Sequence, residues 1–264
     1  MNNYLLGRVA FNIFGVEIYW YGIFITLAII TALIISFVLC KRKGLSSNLP
    51  YEIIIAILPL GILCGRLFAV LFDSGLDITD YFRFRDGGMS IIGAVIGGAI
   101  GIVILCLIRK YNFLEIADVV CVVLILAQAI GRWGNFFNAE LYGQEILNPS
   151  LQKFPIAVEI DGAFYEALFF YESMLNLIGF VGLICLYWFT KNKGLATGAY
   201  LMYYGIVRFF LEPRRQGQYI LMLGKVQISR LMSGLMVAIG LGILIYVIVK
   251  IVLEKKKERE AKNG

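Results

Sequence analysis

The sequence contains no histidine. That absence removes the commonest general base at neutral pH, the commonest zinc ligand, and every Ser-His or Cys-His dyad. A metalloenzyme is not expected. Charge is scarce as well: Asp, Glu, Lys and Arg make up 16% of the 264 residues, against 60% hydrophobic residues. An ordinary soluble domain is about 45–50% apolar, so the excess requires a solvent other than water. Paired cysteines are missing too. Cys40, Cys64, Cys106, Cys121 and Cys185 all lie in apolar runs, are odd in number and show no paired spacing. They read as small hydrophobes rather than a disulfide framework. Nothing reads as a cleaved signal peptide, because the first apolar run is too long for an h-region and lacks a small-residue cleavage site. No internal repeat and no separable second domain stand out.

What the chain has is long apolar runs. Seven segments can be drawn, at about Ile18–Cys40, Tyr51–Phe72, Met89–Ile108, Leu114–Ile130, Phe169–Thr190, Ala196–Leu211 and Leu231–Leu253. Most reach the roughly 20 residues that a bilayer core asks of a helix; the sixth is short and carries Arg208. The expected fold is an all-α polytopic membrane protein, one integral-membrane domain over residues 1–264. Between segments four and five, at about 141–168, "FPIAVEIDGAFYEALFF" alternates in part, with Asp161-Gly162 as a hairpin turn signal. It predicts a small extramembrane head containing a β-hairpin. Residues 254–264 read as a solvated charged tail.

Basic residues orient the chain. Lys41, Arg42 and Lys43 follow segment one, Arg109 and Lys110 segment three, Lys191 and Lys193 segment five, and "KKKEREAKNG" segment seven. With Lys250 these connections hold thirteen of the 24 Lys and Arg. Acids crowd the other connections: Asp73, Asp77, Asp80 and Asp86, then Glu140, Glu145, Glu159 and Asp161. The positive-inside rule puts the N-terminus outside and the C-terminus in the cytoplasm. The net charge of +6 then reflects topology and an anionic inner leaflet, not nucleic acid.

In that orientation the conspicuous polar groups share one side. Tyr21 begins segment one and "DGGMS" (Asp86–Ser90) begins segment three. "GRWGNFFNAELYG" (Gly131–Gly143) ends segment four, and "YYGIVRFFLEPRR" (Tyr203–Arg215) is the outer half of segment six. Ionisable residues at membrane depth are costly and usually face a bundle interior or a wet cavity. Four segments bringing Arg, Asn, Glu and Tyr to one level argue for one shared site. Tyr204, Arg208 and Glu212 form a stripe at i, i+4, i+8 with Pro213 at its end. This stripe could be an intrahelical ion pair that lets Arg208 sit in lipid, or the lining of a cavity. Arg132 can grip a phosphate or carboxylate through a bidentate fork. Asn135 and Asn138 can donate and accept, and Glu140 can orient an arginine or take a proton. Gly131, Gly134 and Gly143 allow close backbone approach or positive φ. "GAVIGGAIG" (Gly93–Gly101) reads as helix packing through small residues. Segments three, five and seven are otherwise nearly featureless, and no repeated halves suggest a transporter.

These blocks resemble the bacterial phosphatidylglycerol–prolipoprotein diacylglyceryl transferases. "GRWGNFFNAELYG" looks like that family's signature, and the resemblance runs nearly end to end. "WYG" (Trp20–Gly22), "GR" (Gly65, Arg66), "GGMS" (Gly87–Ser90), "FPIAVEIDG", "YES" (Tyr171–Ser173), "YGIVRFFLEPRR" and "GKVQISRLMS" match further blocks in order. The resemblance implies transfer of the sn-1,2-diacylglyceryl group of phosphatidylglycerol onto the lipobox cysteine thiol of a prolipoprotein, releasing glycerol phosphate. It implies no cofactor, and as partners it names membrane lipid and the prolipoprotein signal peptide with its lipobox. Carried over position by position, it implies catalytic roles for Tyr21, Arg132, Glu140, Arg208 and Glu212. Substrate binding would fall to Arg66, Gly87, Gly88, Asn135, Asn138, Gly143, Tyr204 and Arg215. The site would face the outer leaflet of the bacterial cell membrane. Acyl-chain preference and oligomeric state have no signature in these residues.

Two departures stand out. Ile92 occupies the position where the family commonly shows His or Tyr, and Glu166 and Ala167 replace a His-Pro pair before segment five. Ile92 cannot move a proton, so the residues name no general base. The alternative to an active transferase is a catalytically silent relative that binds lipid or prolipoprotein without turnover.

Overall fold

A computed structural model describes residues 8–72, 76–83, 88–216, 222–223 and 226–263. The elements are β1 (Val9–Ile13), β2 (Val16–Tyr19), α1 (Trp20–Lys43), α2 (Leu49–Phe72), α3 (Ile91–Arg109), α4 (Phe113–Asn138), β3 (Ala157–Ile160), β4 (Ala163–Glu166), α5 (Leu168–Phe189), α6 (Leu195–Leu211), β5 (Met222–Leu223), β6 (Val226–Gln227) and α7 (Ile228–Asn263). All helices but α6 are long and apolar enough to cross a membrane. At 17 residues, α6 is the short segment the sequence singled out. The fold is the expected polytopic helical one, and the chain is a multi-pass membrane protein. Two compact units appear, one of the chain up to Ile34 together with everything from Val120 onward, the other Ile35–Val119.

The Ile35–Val119 unit is held by α2 against α3. Gly93, Gly97 and Gly101 recur every fourth residue, and a Cβ at any of them would run into α2 backbone, at Cys64, Leu60 and Ala56 respectively. The small-residue stripe is therefore a packing seam. Ser90 caps α3, its Oγ accepting from Gly93 N at 3.5 Å. Arg66, fully buried on α2, donates to the Asp80 carbonyl from Nη2 (2.7 Å) and to the Gly88 carbonyl from Nη1 (2.8 Å). It thereby ties the connection before α3 back onto α2. At the far end Arg109 pairs with Glu52, which also accepts from Tyr111 Oη at 3.1 Å.

In the larger unit α6 packs against α7 through Gly198, Gly205 and Gly240; a Cβ at Gly205 would stand 2.8 Å from the Ser233 carbonyl. The head contains the expected hairpin. β3 and β4 pair antiparallel from Ile160↔Ala163 to Ala157↔Glu166, and Asp161 (φ 51°) and Gly162 (φ 84°) make the turn. Residues Gly143–Ile146 add to the β4 edge through Gly143 N to Glu166 O (2.9 Å) and Ile146 N to Phe164 O (2.7 Å).

Two helix ends and two hairpins differ from expectation. α4 runs about two turns past Ile130 to Asn138, because Phe136 and Phe137 pack half-buried rings there: Phe137 stacks on Trp20 (4.9 Å) and Phe136 meets Phe169 (4.9 Å). The charged tail continues α7 as helix, with Lys250–Glu254 and Lys256–Glu260 pairs at i, i+4. The β1–β2 and β5–β6 hairpins were not anticipated.

Candidate active site

The first part of the signature, Gly131–Asn138, lies in the last turns of α4, on helix rather than loop. Continuing the helix through "GRWGNFFN" sets Arg132, Asn135 and Asn138 within one stretch of its surface. The chain leaves it with Ala139 (φ 52°) and Leu141 (φ 60°) in the left-handed region. Positive φ thus falls beside the glycines, not on them. Gly134 instead gives close approach, since a Cβ there would sit 2.8 Å from Tyr21 Cδ2. Tyr21 is also near enough to Glu140 and Arg132 to interact with both electrostatically.

At the centre stands a residue the sequence reading passed over. Glu172, in the second turn of α5, is 2% exposed. Its carboxylate pairs with Arg132 Nε of α4, with Arg208 Nη1 of α6 at 2.9 Å, and more loosely with Arg215 Nη2 at 3.8 Å. Glu212, just beyond α6, meets Arg208 Nη2 at 2.6 Å and Arg215 Nη1 at 3.5 Å. The intrahelical Arg208–Glu212 pair is real, yet it is one edge of a network joining three helices. Three guanidiniums stand against two carboxylates in that network, all buried or nearly so. The arrangement carries a positive surplus in a place where unpaired charge is costly. Arg215 lies outside the spans, and burial pushes its guanidinium below its ordinary value. Arg208 and Arg132 push the same way, while Glu172 and Glu212 oppose them.

A polar rim continues from Arg132. Its Nη1 donates to Asn135 Oδ1 at 3.4 Å, and Asn135 Nδ2 donates to Glu140 Oε1 at 3.0 Å. Glu140 Oε1 also accepts from Asn138 Nδ2 at 3.2 Å. Glu140 therefore holds the two asparagines rather than an arginine. On α6, Tyr204 stacks on Tyr200 (centroids 5.5 Å apart), whose hydroxyl accepts from Gln128 Nε2 at 3.0 Å. Asn176, one turn past Glu172, is buried, and neither of its side-chain polar atoms finds a hydrogen-bond partner among the described residues.

The structure thus brings Arg132, Asn135, Asn138, Glu140, Tyr204, Arg208, Glu212, Arg215 and Tyr21 into one unit. Gly143 packs on the head, where a Cβ would meet Glu166 at 2.6 Å. Arg66 and Gly88 bind each other in the Ile35–Val119 unit, and Gly87 lies outside the described residues. The expectation that segment five is nearly featureless fails at Glu172, Ser173 and Asn176. The signal was present in "YES": an acid one turn inside an apolar span is expensive unless basic groups surround it.

Known proteins resemble this chain over most of its length. A family model described as prolipoprotein diacylglyceryl transferase matches residues 8–246. The phosphatidylglycerol–prolipoprotein diacylglyceryl transferase of Clostridium novyi (strain NT) is 36% identical over 251 residues, 91% of this chain and 95% of that protein. Transferase 1 of that name from Clostridium perfringens (strain 13 / Type A) is 35% identical over 263 residues, 97% and 98% of the two chains. The protein of that name from Listeria monocytogenes serotype 4b (strain CLIP80459) is 32% identical over 250 residues, covering 91% and 90%.

Proposed function

The chain belongs to the prolipoprotein diacylglyceryl transferase family, and on that footing we propose how its ion network performs the transfer. The protein moves the diacylglyceryl group of phosphatidylglycerol to the cysteine thiol of a prolipoprotein, the first step of lipoprotein maturation. The observation that carries the mechanism is the sharing of buried Glu172 by Arg132 and Arg208, with more guanidinium than carboxylate around it. In the reaction the thiol sulfur attacks the glyceryl carbon that bears the phosphate. A C–S bond forms, the C–O bond breaks, and its electron pair leaves on glycerol phosphate. The thiol proton passes to solvent or to the departing phosphate.

Arg132 and Arg208 hold the phosphate as its charge grows, the role in which preorganised donors contribute most. The same cationic field favours thiolate over thiol; an ordinary cysteine has a pKa of about 8.5. Glu172 and Glu212 fix the guanidiniums, and Glu140 with Asn135 and Asn138 orients the rim. Tyr21, Tyr204 and Arg215 complete the walls. The charge bias of the connections supports an outer-leaflet position for this face, where a thiol arrives after translocation.

Purified protein in phosphatidylglycerol nanodiscs, given a lipobox peptide, should add one diacylglyceryl mass to the peptide, and Cys→Ala in the peptide should abolish the gain. Ile92 favours one other reading, a relative that binds without turnover. No mass gain from folded protein would select it, as would a large rate increase on Ile92→His from a near-zero baseline.

A further inference from the structure

The β1–β2 hairpin is amphipathic in a way the membrane helices do not require. Its register pairs Phe11 with Ile18 and Ile13 with Val16. Period-2 alternation puts those four apolar side chains on one face. The other face carries the Asn12↔Glu17 pair and Tyr19, whose hydroxyl donates to Glu17 Oε2 at 2.8 Å. Phe11, Ile13 and Val16 are each 48% exposed, and Phe14 at the turn is fully exposed. Phe14 (φ 50°) and Gly15 (φ 84°) make a two-residue turn of the kind hairpins favour. A two-stranded hairpin alone is marginal in water, and an apolar face rimmed by polar residues marks a contact surface.

The chain itself indicates what covers it. β2 passes into the membrane helix α1 without a linker, and Trp20 N donates to the Arg8 carbonyl at 3.1 Å, closing the hairpin onto the first residue of the span. Trp20 and Tyr21 are the aromatic pair expected at a headgroup boundary. The apolar face is therefore held at the level where a lipid surface begins, with exposed Arg8 beside it for anionic headgroups. Two residues beyond the hairpin Tyr21 packs on Gly134, and Trp20 stacks on Phe137. Both partners belong to the signature helix.

We propose that the β1–β2 hairpin seats its Phe11–Ile13–Phe14–Val16–Ile18 face in the leaflet that supplies phosphatidylglycerol, and so sets the depth at which Tyr21 and the signature helix meet the lipid. The occupant is an anionic phospholipid surface. The proposal rests on the transferase reading for the identity of that lipid, but its test needs no turnover.

Full-length Phe14→Cys protein would carry an environment-sensitive NBD label in phosphatidylglycerol nanodiscs, with the parent chain labelled alongside as the blank. Blue-shifted emission, quenched by nitroxide lipids of shallow depth and shielded from aqueous iodide, is expected. In the transfer assay Phe11→Asp with Phe14→Asp should raise KM for phosphatidylglycerol about tenfold while KM for the peptide holds. Water-like emission open to iodide overturns the proposal. So does burial of the label only on adding lipobox peptide, which would make the face a protein-docking site. Lipid seating with no mass gain on the peptide would instead count against the transferase reading and leave the hairpin's role standing.

Discussion

Glu172 on α5 and Arg208 on α6 meet at 2.9 Å, and this pair gives the site its shape. Without it α6 would bring an arginine into the bundle with only its own Glu212 for compensation. With it, Arg208 bridges two carboxylates while Glu172 bridges two helices, so neither guanidinium can move without disturbing the other. A site that must hold a phosphate in one place gains from that rigidity, since the donors are fixed before charge develops.

Glu172→Gln should therefore be among the most damaging single changes. It keeps the shape but leaves the Arg132–Arg208–Arg215 group short of one buried negative charge. Removing one partner of a buried pair costs about 3–5 kcal/mol. A marked drop in the midpoint of thermal unfolding in micelles should accompany near-complete loss of transfer. Retained activity with an unchanged midpoint would mean that the carboxylate is not the network's anchor.

Arginine should not be replaceable by lysine here. Arg132 uses Nε toward Glu172 and Nη1 toward Asn135, and Arg208 splits Nη1 and Nη2 between two carboxylates. A lysine ammonium offers one point and no fork. Arg132→Lys and Arg208→Lys are expected to lose about 10²–10³ in kcat, as loss of a transition-state donor does elsewhere. Single-turnover measurements on membrane-inserted protein would check this, and a loss below tenfold would assign the phosphate to other groups.

Asn176 offers the opposite experiment. Both of its polar atoms are buried with no hydrogen-bond partner among the described residues, so Asn176→Leu deletes no bond made there and removes an unmet group. A buried unsatisfied group costs about 1–3 kcal/mol. The variant should unfold at a higher temperature than the parent. A lower midpoint would mean that bound water or lipid satisfies the amide in the membrane.

How much of this was legible beforehand divides by the kind of signal. The spans, the head hairpin at Asp161-Gly162 and the Gly93–Gly101 seam followed from length, turn chemistry and small-residue spacing, all local to the chain. The Tyr204–Arg208–Glu212 stripe was visible for the same reason. Glu172 is legible only as an acid inside an apolar span that needs basic neighbours; which neighbours depends on Arg132 forty residues earlier and Arg208 thirty-six later, and pairing across helices leaves no periodicity in either. Of the β1–β2 hairpin only Ile18–Tyr19 falls in the first apolar run, which continues into α1 with no polar break to mark the change from period 2 to period 3.6.

The glycine seam supplies a test in the Ile35–Val119 unit, apart from the ion network. Gly97→Ala would drive a Cβ onto the Leu60 carbonyl and Cys64 Cβ, and Gly101→Ala onto the Ala56 carbonyl. These are backbone or backbone-adjacent atoms that cannot swing aside. Overpacking of this kind costs about 1–3 kcal/mol, against a helix-propensity gain of up to about 1 kcal/mol for replacing glycine with alanine. The clash should win at both positions, lowering the unfolding midpoint. Gly234 and Gly242 on α7 have open space where a Cβ would go, so there the propensity term stands alone and Gly→Ala should be neutral or stabilising. Measured side by side in one detergent, the four variants separate contact from propensity. If Gly97→Ala were as stable as Gly242→Ala, α2 and α3 could not approach as closely as these glycines allow.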